Sequence, residues 1–273
     1  MKTLQPLRPG HAPDLDDGEA APPPGVPGVP GGSRLREELA ARLERVGEAA
    51  AALYAEGERA ALFVLQARDT GGKDGTIRRV FGAVNPQSMA LTSFAAPAGE
   101  ERKHDFLWRV HRAVPEFGRV GVFNRSHYED VLAARVRRLV PEEVWRARFE
   151  QINDFESILV RNGITVVKLF LHVSRDEQRK RLLKRLDKPE KRWKFDPTDL
   201  QDRMLWDEYT AAYRDVFARC GTEHAPWYVV PADDKTVRDF LVAGIVADTL
   251  ERMDPKIPEA DPEVLAYAAD LRK

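Results

Sequence analysis

A lysine set among glycines, with a carboxylate on either side, is the part of this chain best equipped to do chemistry. Residues 66–76 read Gln-Ala-Arg-Asp-Thr-Gly-Gly-Lys-Asp-Gly-Thr. Gly71, Gly72 and Gly75 let the backbone turn tightly, so that its N–H groups and a helix N-terminus face one anion, and Lys73 adds a mobile positive charge. Against the pattern G-x-x-x-x-G-K-[ST], Ala67 replaces the first Gly while Gly72 and Lys73 stand in register. Asp74 occupies the place of the Ser or Thr that normally meets magnesium, with Thr76 close behind. Asp69, inside the loop, would repel a bare polyanion. It makes sense as a group holding a divalent cation that the phosphates share. A plain strand-to-helix turn would explain the glycines and an exposed Lys, but not the carboxylates.

Two further polar stretches carry the same theme. Asn124-Arg125-Ser126 sits where P-loop proteins place a magnesium-organising Asp; Asn offers a neutral oxygen, and Arg125 is placed to grip a phosphate on the acceptor side. The bland alternative has Asn124 capping a helix and Arg125 pairing with Glu129 or Asp130. Residues 175–194 hold ten Lys/Arg against four Asp/Glu, with Arg181 and Arg185 on one helical face. Such a run is ordinarily a solvated face or a nucleic-acid patch. Aromatic stacking groups are scarce here (Trp193, Phe195), so above a P-loop it reads as a movable lid for a long polyanion.

These stretches need a scaffold that brings them together. The apolar run Ala61–Leu65 predicts a buried strand at about 60–67, with a helix from about 75. Strands follow at 89–94, 119–123, 164–173 and 227–230. Helical patterns cover 34–55 (Ser33 as N-cap), 101–113, 129–139, 142–162 and 236–252. Strands alternating with helices predict an α/β fold with a parallel sheet covered on both faces, ligands binding at the strands' carboxyl ends. Each polar stretch directly follows a strand, so all three converge there. Residues 1–33 hold eight prolines and six glycines, among them Pro22-Pro23-Pro24, and predict an arm that is extended or disordered, without helix or ladder.

With 273 residues the chain can bury a substantial core, and 43 Lys+Arg against 44 Asp+Glu leave no global field pointing to nucleic acid. A single cysteine, Cys220, makes neither an intramolecular disulfide nor a multi-cysteine zinc site. No apolar run approaches a membrane span and no signal peptide is evident, which predicts a soluble, cytoplasmic protein.

Gln66–Thr76, the stretch Val122-Phe-Asn-Arg-Ser-His-Tyr-Glu-Asp-Val-Leu132, and the basic run ending Arg192-Trp-Lys-Phe195 closely resemble the polyphosphate kinase 2 family. The resemblance runs over about residues 50–250, through Asp105-Phe-Leu-Trp-Arg109, Gln151–Glu156 and Trp206–Tyr209. It implies a P-loop kinase-like three-layer fold with a helical basic lid, and phosphoryl transfer between inorganic polyphosphate and an adenine nucleotide with magnesium, or manganese in its place. By motif position Asp69 organises the metal, Lys73 and the amides of Gly72 to Thr76 bind phosphates, and Arg125 sits between donor and acceptor. Arg181, with Arg185, completes the site from the lid. Arg78, Phe94 and Arg109 join the phosphate and nucleotide contacts, as do Gly71, Asp74, Gly75 and Asn124. The Phe-Asn-Arg-Ser form resembles the subgroup that phosphorylates both AMP and ADP. Many relatives carry a Lys where this chain has Ala95, beside Phe94 and Pro97. The resulting division is an arm at 1–33, a phosphotransferase domain at 34–253 with its lid at about 174–214, and a tail at 254–273, working as a homo-oligomer without nucleic acid or membrane. Two rivals stay open: an ATP-dependent nucleoside monophosphate kinase and a non-catalytic polyanion binder.

No catalytic base is required, because a nucleotide phosphate is already ionised. His127 is therefore expected to be structural or to touch nucleotide, and no histidine spacing suggests a metal site.

Overall fold

Eight consecutive buried residues, Ala60–Ala67, form the central strand β1. Parallel strands covered on both faces carry such continuous apolar runs. The computed structural model describes residues 4–21 and 29–272. Around β1 stand β2 (Met89–Ser93), β3 (Val120–Asn124), β4 (Ile164–His172) and β5 (Trp227–Pro231), in the order β2-β3-β1-β4-β5. Every pairing is parallel. All carboxyl ends therefore point to one edge, as the sequence predicts.

Helices of seven residues or more are α1 (Gly32–Glu56), α2 (Lys73–Arg79), α3 (Glu142–Arg161), α4 (Arg175–Asp187), α5 (Pro197–Met204), α6 (Trp206–Cys220), α7 (Lys235–Arg252) and α8 (Pro262–Leu271). Alternation along β1 splits the core in two. Ala61, Phe63 and Leu65 meet α1, α2 and α7 on one face, and Leu62 and Val64 meet α3 and α6 on the other. On α3 the buried stripe Trp145, Phe149, Ile152, Phe155 and Leu159 recurs at helical spacing, each side chain contributing roughly 1.5–3 kcal/mol on burial. The three-layer α/β fold is the P-loop kinase-like one expected. No helix among the described residues is long and apolar enough to cross a membrane.

Several expected elements differ. α1 starts at Gly32, entered through an extended Gly31 rather than capped by Ser33. The helix expected over 101–113 is instead a 3₁₀ turn, Gly99–Lys103, an extended His104 and one α turn, Trp108–His111. The Asp105 carboxylate captures the Leu107 N–H at 2.9 Å, and Glu101 the Ala98 N–H at 3.2 Å. Such short side-chain bonds compete with helix continuation. The helix expected over 129–139 breaks into a 3₁₀ turn, His127–Asp130, and one α turn, Ala133–Val136. Ser126, not Asn124, caps it, its Oγ accepting from Tyr128 N at 3.1 Å.

The N-terminal arm is mostly extended but not structureless, since Asp17–Ala20 forms one helical turn. Residues 4–21 run as a strap along the sheet's β5 side, from the first residue of β5 to the carboxyl ends of β4 and β5. Leu7 N donates to Trp227 O at 2.7 Å, Leu15 and Ala20 are buried, and Ala20 O accepts from Asp233 N at 3.1 Å. Asp17 Oδ1 accepts from the N–H of Arg175, the first residue of α4, at 3.0 Å. Pro22–Pro24 lie outside the described residues.

Candidate active site

The turn from β1 into α2 takes Thr70 to φ +60° and Gly72 to φ +106°, both in the left-handed region. That curl brings successive N–H groups onto one concave side, and α2 then starts at Lys73. Lys73 Nζ donates to Ala67 O at 3.0 Å across the loop. Burial first, and Arg125 second, hold its ammonium below the ordinary lysine range. Arg68 lies on the Trp206 ring at 3.8 Å and donates to Trp206 O and Thr210 Oγ1, fastening the loop to α6. Burial pulls it down to about 10.

The second stretch meets the first directly. Arg125, at φ +63°, turns back from the end of β3, its N–H donating to Leu65 O at 3.0 Å. Its Nη2 donates to Asp69 Oδ1 at 3.0 Å. The local pairings with Glu129 or Asp130 give way to this one across strands. Glu129 still stands close: burial raises its carboxyl above the ordinary range against the pull of Arg125 and Lys73. With its amide oriented by its neighbours, the buried Gln66 donates to Glu129 Oε1 at 3.1 Å and accepts from Ser126 Oγ at 3.0 Å. Asn124 Nδ2 donates to Asp74 Oδ1 at 3.0 Å.

Two spaces open from this junction. A broad cleft of about 2680 Å³, solvent included, is lined by the cradle, Arg78, Phe94, Asn124, Arg125 and the basic segment. Lys194 reaches Asp74 Oδ2 at 3.7 Å across its mouth. Of the expected residues only two do not line it. Thr76 is buried and turns its hydroxyl to Asp239 Oδ1 at 3.4 Å. Arg109 lines the other space, donating to Ala95 O at 2.7 Å beneath Phe94. Arg181 lines the cleft with its donors engaged, Nη1 on Thr70 O and Nη2 on Ala232 O and Asp233 O at 2.7–3.1 Å. It clips α4 to the cradle. Arg185 bonds Asp199 Oδ2 at 3.1 Å.

The second space, a recess of about 930 Å³, is walled by Phe94, Trp206, Tyr209 and Tyr213, with Ala95, Pro97 and Arg137 among its lining. Asp69, Phe94 and Arg125 line both spaces. His127 lies outside both, 1% exposed, with Nε2 3.2 Å from Glu156 Oε1. Lys168 Nζ donates to the same carboxylate at 2.6 Å. Burial pushes Glu156 up, but Lys168 and His127 outweigh it and hold the carboxyl below its ordinary range. His127 is therefore structural. Sequence reasoning missed Glu129's place in the site, the aromatic wall from α6, and Arg238 and Asp239 of α7, which line the cleft.

Among the described residues no group of three or more His, Cys, Asp or Glu is arranged to hold an ion. Asp69 offers one carboxylate beside the phosphate cradle. Magnesium held by one or two carboxylates together with substrate phosphates fits that donor set.

Comparison with known proteins agrees with this geometry. A family profile described as polyphosphate kinase 2 (PPK2) matches residues 33–258. An AMP/ADP-polyphosphate phosphotransferase of Meiothermus ruber is 51% identical over 220 residues, 81% of each chain. An ADP-polyphosphate phosphotransferase of Rhodopseudomonas palustris is 44% identical over 238 residues, 83% of this chain and 82% of that one. The crystal structure of polyphosphate kinase 2 from Arthrobacter aurescens TC1 superposes with a TM-score of 0.86 at 41% identity, covering 99% of both chains.

Proposed function

We propose a division of labour within the site on one premise: this chain belongs to the polyphosphate kinase 2 family. It is a phosphotransferase that moves the terminal phosphoryl group of inorganic polyphosphate onto AMP or ADP, giving ADP or ATP. The observation that carries the assignment of parts is the Asp69–Arg125 pair in the wall common to both spaces. Polyphosphate lies in the cationic cleft with its terminal phosphate in the cradle. The nucleotide enters the recess, its base among Phe94 and the α6 aromatics and its phosphate toward Arg125.

Transfer breaks the donor's terminal anhydride and forms a bond from phosphorus to a nucleotide phosphate oxygen. Positioning and charge neutralisation carry most of such a reaction. Lys73 and the loop amides hold the donor, Arg125 faces the charge moving between the partners, and Arg181 keeps α4 on the cradle. Arg78, Asn124 and Arg185 border the donor path, and Arg109 shapes the recess behind Phe94. A divalent cation, when bound, neutralises phosphate charge; Asp69 would hold it together with the phosphates. Magnesium is the ion proposed, manganese the other. Anhydride is exchanged for anhydride, so the direction depends on polyphosphate and nucleotide levels.

Use of both AMP and ADP is part of the same proposal, supported by Asn124 in the Phe-Asn-Arg-Ser stretch. The division at 34–253 is supported by the match over 33–258, and a cytoplasmic location by the buried, unbridged thiol of Cys220. The homo-oligomer belongs to the proposal too, and light scattering on the purified chain checks it. The deciding experiment supplies long-chain polyphosphate and magnesium with AMP or ADP separately and no ATP. ADP followed by ATP from AMP is the expected result. ATP from ADP alone removes dual use, and turnover of AMP only with ATP as donor overturns the polyphosphate assignment.

A further inference from the structure

The opening turns of α7 carry an arginine that the mechanism above does not use. Arg238 is 2% exposed, and its guanidinium stands behind the cradle. A Cβ on Gly72 would overlap its Nη1, and one on Gly75 would lie 3.3 Å from its Nη2. The guanidinium thus fills the space these two glycines leave. Nε and Nη2 both donate to Asp239 Oδ1, at 2.9 and 2.6 Å. The same oxygen accepts from Thr76 Oγ1 at 3.4 Å, so one carboxylate fixes both the arginine and the first turn of α2.

Glycine takes a positive φ such as that of Gly72 without steric cost but is equally free to leave it, so a side chain packed against the loop is what narrows it to this conformation. Arg238 is the side chain placed to enforce it. Around this ion pair the wall is basic. Lys235, one turn away, is held below the ordinary lysine range by burial and then by the cations Arg181, Lys184 and Arg238. This wall of the cleft holds positive charge in excess of its carboxylates, a state that a polyanion relieves.

We propose that Arg238 is a positioning residue for the phosphate donor: it props Gly72 and Gly75 so that the cradle amides converge on polyphosphate, and Asp239 orients it. The inference rests on the cradle being the donor site. It does not require Arg238 to touch the phosphates.

The test is steady-state kinetics with polyphosphate and AMP on the full chain carrying Arg238→Met, Arg238→Lys or Asp239→Asn, with thermal melting alongside. Arg238→Met raises the donor KM about tenfold while the AMP KM stays within about twofold. Arg238→Lys restores part of the loss, and Asp239→Asn shifts donor KM in the same direction by less. An unchanged donor KM in variants that melt normally overturns the inference, as does a parallel rise in both KM values. If Arg238→Met does not fold, the other two variants decide by the same split. Wild type and Lys73→Ala are run beside them. A wild type that does not use polyphosphate removes both readings. An active wild type, an inactive Lys73→Ala and unmoved donor KM values remove this one alone.

Discussion

The cleft and the recess meet at Asp69, Phe94 and Arg125 yet differ in what dominates their walls. The cleft is mainly charge on backbone: loop amides, Lys73, Arg78 and the arginines and lysines of α4. The recess is more apolar, an aromatic frame of Phe94 and of Trp206, Tyr209 and Tyr213 of α6 set among charged side chains that include Arg125, Glu129 and Arg137. A repeating anion without shape is met by field, and a single flat nucleobase by fitted surface. A binding space can thus be matched to its substrate by charge density or by contour. In this molecule the shared wall alone has to answer to both partners.

That division can be broken most severely at the wall. Asp69→Asn and Lys73→Ala should each lower turnover by roughly a hundred- to a thousandfold while melting stays within a few degrees. Near-normal turnover in either purified variant would dissolve the assignment. A gentler probe adds a cation to the recess alone. Ala95 is exposed at its rim, and Ala95→Lys should lower the AMP and ADP KM a few-fold by attracting their phosphates. A donor KM that moves with them would mean the two spaces are not separate.

Smaller effects come from pH. Lys73 is held below the ordinary lysine value of about 10.4. Its charge is therefore lost at a lower pH than that, and donor KM should climb there while acceptor KM does not. Isothermal titration should show polyphosphate binding taking up protons over the same interval. The smallest effect concerns the strap. Burial keeps His172 below its ordinary value of about 6.5, with Nε2 2.9 Å from Asp16 O. A histidine with a depressed folded pKa contributes stability above its unfolded value and loses it as pH falls through the folded one. Proteolysis within residues 4–21 should therefore be faster at about pH 5 than at neutral pH. Equal rates would remove His172 from the docking.

The cradle, the Asn124–Arg125 exit and the basic helix are legible in the sequence because each is contiguous and comes directly after its own strand. The convergence of the three rests on parallel-sheet logic alone. What stays hidden comes from distant elements: Arg238 reaches Gly72 from a helix whose apolar face dominates its pattern, and Trp206–Tyr209 stands out only as part of the family resemblance, with no place in the site attached to it. The helices expected at 101–113 and 129–139 fail for a local reason. Apolar periodicity is present, but Asp105 and Ser126 take backbone N–H groups into turns. Ser33 loses the cap because the chain enters α1 through Gly31 and Gly32.

The strap has a bearing on how the molecule is made. Leu7 and Ala20 are translated well before the groups they bond, Trp227 and Asp233. Those groups in turn depend on β4 and β5 being in place. The strap is thus synthesised long before it can dock, and Asp17 secures Arg175 at the start of α4 only when the sheet behind it is complete. Docking of residues 4–21 therefore waits on β5, and the basic helix gains this anchor only in a chain that has been read at least that far.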